Sequence, residues 1–279
     1  MKTCSVLEWG FTDYAQACTW QRALVAARKA GAIPDVLVLC EHPHVITLGR
    51  NARRENVRLP EAELARRGVA VHPTDRGGDV TYHGPGQLVG YPILNLAELH
   101  KDVVWYVQAL EEVLIRVAGE FELAGQHLPT TLQQAAARLP VWRGAELGAG
   151  GKRPVYTGVW VGEEKLAAIG VHISRWVTSH GFAFNVTTDL SYFDLIVPCG
   201  IADKQPTSLV RLRPELLQTF GGEAGRLMEA VKRAVGRHFG EVFEREMEWI
   251  ENWAEWLTRE AAGARVCLRA DQPADGWPG

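Results

Sequence analysis

Apolar positions in this 279-residue chain change period from one segment to the next, and the changes predict alternating helices and strands. From Asp13 to Lys29, Tyr14, Ala17, Trp20, Leu24 and Val25 recur at helical spacing, with Gly31 as the stop. Val36 to Cys40 and Val45 to Leu48 are short aliphatic runs separated by His42-Pro43-His44, and they read as strands. Asp102 can cap a helix carrying Val103, Val107, Leu110, Leu114, Val117 and Phe121 on one face. Val155 to Val161 and Leu166 to Ile173 flank Gly162-Glu163-Glu164-Lys165 and read as a hairpin, with Phe182 to Val186 as a further strand. The helical period returns from Glu223 to Phe239, through Leu227, Val231, Ala234 and Val235. Together these segments predict a mixed α+β domain, a sheet with helices packed on it.

Two segments read as additions. Residues 126–153 are rich in Gln, Ala, Gly and Arg and end in Gly148-Ala149-Gly150-Gly151, a linker composition, with one short helix expected at Thr131 to Leu139. Beyond Glu241 the chain turns acidic, and Trp249, Trp253, Trp256 and Leu257 fall at i, i+4, i+7 and i+8. That spacing predicts one apolar helix face, docked on the parent domain or open to a partner. The expected organisation is a domain over 1–241 with an insertion at about 126–153, then an acidic, Trp-rich extension over 242–279. The last eight residues read as a loose tail.

Composition narrows the class. The chain is 47% hydrophobic and 23% charged, so it can bury a sizeable core, and a net charge of −3 gives no global pull toward nucleic acid or a membrane surface. No run of eighteen apolar residues occurs, and the N-terminus has no apolar stretch of secretory length. The five cysteines (4, 18, 40, 199 and 267) are odd in number, widely spaced and free of CxxC pairs. Such usage points to a reducing cytoplasm and away from a disulfide scaffold or a zinc ribbon.

Cys199 stands apart from the other four because Pro198 and Gly200 flank it, a context that fixes backbone. Upstream, Arg76-Gly77-Gly78-Asp79-Val80-Thr81-Tyr82-His83-Gly84-Pro85-Gly86-Gln87 reads as a glycine-rich loop that brings bare backbone close to a ligand. A rigidly placed thiol with such a loop suggests covalent chemistry on an acyl-like substrate. A thiol reacts as thiolate and needs a neighbouring cation or base, for which Lys165, His172, His180 and His83 are the candidates. A lysine at a hairpin base is commonly just solvated, and a histidine before a strand commonly just structural. His42-Pro43-His44 lacks the cysteine partners a zinc site would use, His83 reads as ordering the loop, and there is no P-loop.

The blocks Arg76 to Gln87, Lys165-Leu-Ala-Ala-Ile-Gly170, His180-Gly-Phe-Ala-Phe-Asn185 and Pro198-Cys-Gly200, in that order, resemble the octanoyl (lipoyl) transferases. Glu41 to Arg50 and Lys204 to Leu209 match as well, and the resemblance covers roughly residues 5 to 240. It implies the fold of the biotin and lipoate protein ligase catalytic domains, a mixed sheet sandwiched with helices. It implies transfer of an octanoyl or lipoyl group from acyl carrier protein to a lysine of lipoyl-dependent proteins, the first step of endogenous lipoate biosynthesis. The acceptors would be lipoyl domains of 2-oxoacid dehydrogenases or the glycine cleavage H protein, with no cofactor or metal.

On this chain, the resemblance makes Cys199 the acyl-thioester nucleophile and Lys165 the group that lowers its pKa and shuttles protons. Arg76, Gly77, Gly78, Asp79, Val80, Thr81, Tyr82 and His83 would line the acyl channel with Ala168, Ile169, Gly170, Gly181, Phe182 and Ala183. The cluster Arg50, Arg53, Arg54 and Arg58, against Glu55, would suit an acidic carrier protein or be a solvated loop. Two other functions stay open: an ATP-dependent lipoate or biotin ligase, for which Cys199 would be superfluous, and a non-catalytic acyl-binding protein in which that thiol is merely buried.

Overall fold

A computed structural model describes residues 1–123, 141–143, 157–197 and 205–261. The N-terminal strand β1 (Lys2–Phe11) leads into α1 (Tyr14–Lys29), whose first turn is capped by the Asp13 carboxylate accepting from the Gln16 N–H at 3.1 Å. Tyr14, Ala17, Gln21, Leu24 and Ala27 form its buried stripe. Strand β2 (Asp35–Glu41) alternates cleanly: Val36, Val38 and Cys40 enter one apolar layer, Leu37 and Leu39 the other, so it is buried on both faces. Then come β3 (Val45–Leu48), α2 (Glu61–Arg66), β4 (Ala70–Pro73), β5 (Val80–His83) and β6 (Gln87–Ile93). Helix α3 (Val103–Leu123) starts as expected at Asp102, whose carboxylate accepts from the N–H groups of Val104 and Trp105.

The second half supplies β7 (Val141–Arg143), β8 (Gly158–Val161), β9 (Glu164–Ser174), β10 (Val177–Asn185) and the two-residue strand β11 (Gln205–Pro206). Helices α4 (Leu209–Leu212), α5 (Glu215–Thr219) and α6 (Ala224–Phe243) precede β12 (Arg245–Ile250) and α7 (Trp253–Ala261). The main sheet runs β12-β1-β2-β6-β10-β9-β8-β7, with β11 beside β9. Its β12-β1-β2 end is parallel and the rest of the path antiparallel, so the sheet is mixed. Helices α3 and α6 cover one face, and α1 and α7 pack on the other. A small sheet, β4-β3-β5, carries its own core with Val57, Leu64, Leu195 and Ile196.

The expected C-terminal extension is not an appendage over its described part. β12 pairs in parallel with β1 from Lys2↔Arg245 to Leu7↔Ile250 and closes one edge of the sheet. Trp249 therefore lies on a strand rather than on the tryptophan helix the spacing predicts. Its indole packs where α6 carries Gly236, at which a Cβ would sit 2.8 Å from the ring. Only Trp253, Trp256 and Leu257 share a helix, and that helix docks inward: Trp253 meets Trp20 at 4.7 Å between ring centroids. A spacing of four residues fits a helix, but Glu251 and Asn252 break the segment, and Asn252 caps α7 by accepting from the Glu255 N–H. Within the expected insertion, Val141–Arg143 adds an edge strand to β8, and the helix expected at Thr131 to Leu139 lies outside the described residues.

Candidate active site

The sequence from Arg76 to Gln87 is not one loop. Residues 76–79 turn, 80–83 form β5, and a tight turn at 84–86 leads into β6. The turn is docked on both sides. The Gly77 N–H donates to the Val171 carbonyl of β9 at 2.9 Å, and the Asn51 N–H donates to the Gly78 carbonyl at 3.1 Å. Gly78 has φ +91°, a left-handed conformation costly for any residue with a Cβ. On β9, Gly170 admits this approach: a Cβ there would lie 2.9 Å from the Gly77 carbonyl oxygen.

Between this turn and the face formed by β9 and β10 lies a cavity of about 290 Å³. Its floor is cut by small residues in register, since Ala168 pairs across the strands with Ala183, and Gly170 with Gly181. Arg76, Gly77, Gly78, Asp79, Val80, Thr81 and His83 line it, as do Ala168, Ile169, Gly170, Gly181, Phe182 and Ala183, and Lys165. Tyr82 does not. β-strand alternation turns its ring to the other side of β5, where it is fully buried, stacked 5.2 Å from Tyr192 and hydrogen-bonded to His44. Arg76 also differs from a substrate-facing guanidinium. Only 7% exposed, it donates to the Thr47 carbonyl and hydroxyl and to the Gly77 carbonyl, which braces the turn. The Asp79 carboxylate accepts from the Arg53 and Val80 N–H groups and from Asn56, tying the turn to the arginine-bearing segment.

Lys165 stands at the cavity wall. Its ammonium lies 4.7 Å from the centroid of the buried Trp160 ring and donates to the Thr157 carbonyl at 3.4 Å. Beside it, β11 pairs Pro206 with Lys165, and the Thr207 N–H donates to the Lys165 carbonyl. Pro198, Cys199 and Gly200 lie outside the described residues. The chain before them is fixed: Val57 bridges Ile196, and the Val197 N–H donates to the Asn56 carbonyl at 2.8 Å.

Three other thiols have defined surroundings. Burial pushes Cys4 and Cys40 well up and Cys18 up to about 12, so they stay protonated and unreactive at neutral pH. His42 and His83 are also buried, and desolvation depresses them to about 4 and about 3. His42 donates from Nδ1 to the Thr12 carbonyl and accepts from the Tyr91 hydroxyl at Nε2, while His44 stacks on Tyr192; both are engaged by protein partners. Among the described residues no cluster of His, Cys, Asp or Glu is arranged to hold a metal ion. His172 and His180, the other candidate bases, both face the Asp75 carboxylate, at 3.7 and 2.6 Å.

The sequence reading missed several lining residues: Tyr14, Val89, Tyr91, Trp160 and the amides of Gln87 and Asn185. For the two amides a signal was present, a polar side chain closing each of two motif blocks, Arg76 to Gln87 and His180 to Asn185. The aromatic residues gave none that distinguishes a cavity wall from core.

This mixed sheet with helices on both faces is the fold of solved lipoate-protein ligases. The model for the lipoyl protein ligase A/B catalytic domain matches residues 13–240, and the chain belongs to that family. Two solved relatives share the fold. Lipoate-protein ligase A bound with ATP superimposes with a TM-score of 0.64 at 14% identity, covering 96% of this chain and 97% of that one. The bi-partite lipoate protein ligase of Thermoplasma acidophilum does so at 0.58 and 15%, covering 95% and 94%. Much nearer in sequence are the octanoyltransferases of Solibacter usitatus, 47% identical over 88% of this chain and 96% of its own, and of Koribacter versatilis, 46% identical over 94% and 93%. Within the family the chain is thus an acyltransferase that carries out octanoyl transfer in lipoate biosynthesis. Such transfer takes an acyl donor and a lipoyl-domain acceptor. Among the described residues no helix is long and apolar enough to cross a membrane.

Proposed function

We propose that the octanoyl group passes through a thioester on Cys199, with octanoyl-acyl carrier protein as donor and a lysine of a lipoyl domain, on a 2-oxoacid dehydrogenase or glycine cleavage H protein, as acceptor. The observation that carries this reading is the placement of Lys165. Its ammonium lies in the wall of the acyl-sized cavity, and its strand pairs with β11, which follows Cys199 closely in the chain. In the first step the Cys199 thiolate attacks the thioester carbonyl, and the carrier thiol leaves with a proton that Lys165 can supply. In the second, the acceptor amine attacks the enzyme thioester; its lost proton returns through Lys165, an amide forms and the thiolate is released. The energy of the first thioester persists until the amide forms, so no ATP is consumed. The acyl tail would lie along the Ala168–Ala183 and Gly170–Gly181 floor, under the turn at Gly77 and Gly78.

Docking of an acidic carrier is supported by the exposed Arg50, Arg53, Arg54 and Arg58. Their segment hydrogen-bonds both to the glycine turn, at Gly78 and Asp79, and to the chain leading toward Cys199, at Leu195 and Val197. A carrier held there is steered to the cavity by charge, with a rate that falls as salt rises. The test is intact mass after incubation with octanoyl-acyl carrier protein and no ATP. One hydroxylamine-labile octanoyl adduct is expected on the wild type, none on Cys199→Ser. Transfer at the wild-type rate by folded Cys199→Ser, or a strict ATP requirement, would exclude the cysteine route.

A further inference from the structure

Arginine has no hydrogen-bond acceptor and a backbone carbonyl has no donor, so a chain of polar side chains strung between the two has only one possible direction. Such a chain crosses the cavity wall. Arg76 donates through Nε and Nη2 to the Thr47 hydroxyl oxygen on β3, at 3.2 and 2.8 Å. At the other end, Asn185 donates from Nδ2 to the Thr207 carbonyl at 2.9 Å, which turns its Oδ1 toward Gln87. Gln87 donates from Nε2 to that Oδ1 at 2.9 Å and to the Tyr82 carbonyl at 3.3 Å, which turns its own Oε1 toward His83. His83 must then carry its proton on Nδ1, 2.7 Å from Gln87, leaving the Nε2 lone pair for the Thr47 hydroxyl at 3.4 Å. Every donor and acceptor is thus assigned by the two fixed ends, from Arg76 to Thr47, His83, Gln87, Asn185 and the Thr207 carbonyl.

All of these side chains are at least nine-tenths buried, and so is Thr207, so a reversed or missing bond has no water to replace it. The terminal bond holds the backbone beside the proposed proton-transfer group. Asn185 ends β10, β11 takes up the pairing with β9 beyond that point, and Thr207 both accepts from Asn185 and donates to the Lys165 carbonyl. We propose that Gln87 and Asn185 are positioning residues: their one-way chain fixes the Pro206–Thr207 backbone against β9 and so sets Lys165 in the cavity wall. This rests on the reading of Lys165 given above.

Two near-isosteric changes reverse the last link without emptying space. In Gln87→Glu the carboxylate cannot donate to Asn185, whose amide must flip to satisfy it and then presents oxygen to the Thr207 carbonyl. In Asn185→Asp a carboxylate faces that carbonyl directly. Both variants are assayed for octanoyl transfer across donor concentrations, with thermal unfolding alongside. The expected result is a kcat at least tenfold lower with donor KM within twofold and the protein fully folded. Wild-type kcat in both folded variants overturns the proposal, and so does a loss that only tracks the folded fraction or appears only in KM. If neither variant folds, nitrogen NMR of the wild-type histidines decides: neutral His83 protonated on Nδ1 supports the chain, and on Nε2 overturns it. Failure of the underlying reading looks different, because Lys165→Met would then keep full transfer whatever the amide variants do.

Discussion

The two buried histidines make a quantitative claim about acid. His42 is fully buried and His83 is 7% exposed, and both are neutral in the fold because burial disfavours the imidazolium. Their ring centroids are 6.1 Å apart, and the nearby Arg76 further opposes protonation of His83. In the unfolded chain both return to an ordinary value near 6.5. As the folded values are the lower ones, the unfolded chain takes up the protons first. Stability is therefore complete above about pH 6.5 and is lost as pH falls toward the folded values of about 4 and about 3. At pH 5 each histidine removes about 2 kcal/mol, roughly 4 kcal/mol together, a large part of a typical domain's stability. The carboxylates act in a lower window: Asp75 is held down against its burial by His180, so its contribution disappears only below the ordinary carboxylate range. Half-buried His172 shifts the same way as the pair, so the informative measurement is a difference. Urea unfolding at pH 7.5 and pH 5.0 should show wild type losing about 4 kcal/mol from this pair, and His42→Gln or His83→Gln losing about 2 kcal/mol less than wild type. A lower absolute stability at pH 7.5 in either variant leaves the comparison unaffected. An identical pH dependence in wild type and both variants would refute the assignment of two neutral buried imidazoles.

Gly78→Ala places a Cβ on a residue at φ +91° and should cost about 1–3 kcal/mol; a lower Tm together with slower acylation per folded molecule is expected, because this turn roofs the cavity, and wild-type acylation per folded molecule would remove the turn from the acyl site. Ala183→Leu fills the floor opposite Ala168, so transfer should shift in favour of acyl donors shorter than octanoyl, read as the ratio of kcat/KM values. Asp35 accepts from the buried Arg28 and Arg245, each at 2.9 Å, the second of these on β12; Asp35→Ala leaves the buried Arg245 without its carboxylate and Arg28 with Glu98 alone, and should cost about 3–5 kcal/mol in chemical denaturation. Iodoacetamide at neutral pH should leave Cys4, Cys18 and Cys40 unmodified in the folded protein, as peptide mapping would report.

Local chemistry was legible in the sequence where neighbouring residues decide it. The helix from Asp13 to Lys29, the cap at Asp102, the hairpin turn at Gly162 and the strand Val45–Leu48 all follow from side chains acting within a few residues of themselves. That Ala168, Gly170, Gly181 and Ala183 gather at one cavity was implied by the resemblance rather than by the residues alone, since only the pairing of β9 with β10 sets them side by side. β6 was not legible as a strand, since its residues are buried on both faces and alternation vanishes; nor was β12, whose edge position depends on β1, more than two hundred residues away. Tyr82 belonged to a motif of lining residues, yet the pleat of β5 turns it into a separate core. Arg76 lines the cavity as expected, but its bracing of the turn was not legible, because only the tertiary structure brings Thr47 within reach of its guanidinium. The same holds for Gln87 and Asn185. Sequence determines that each is an amide that must find partners when buried, but only the packing of β3, β5, β6, β10 and β11 side by side decides which partners, and in which direction the hydrogen bonds run.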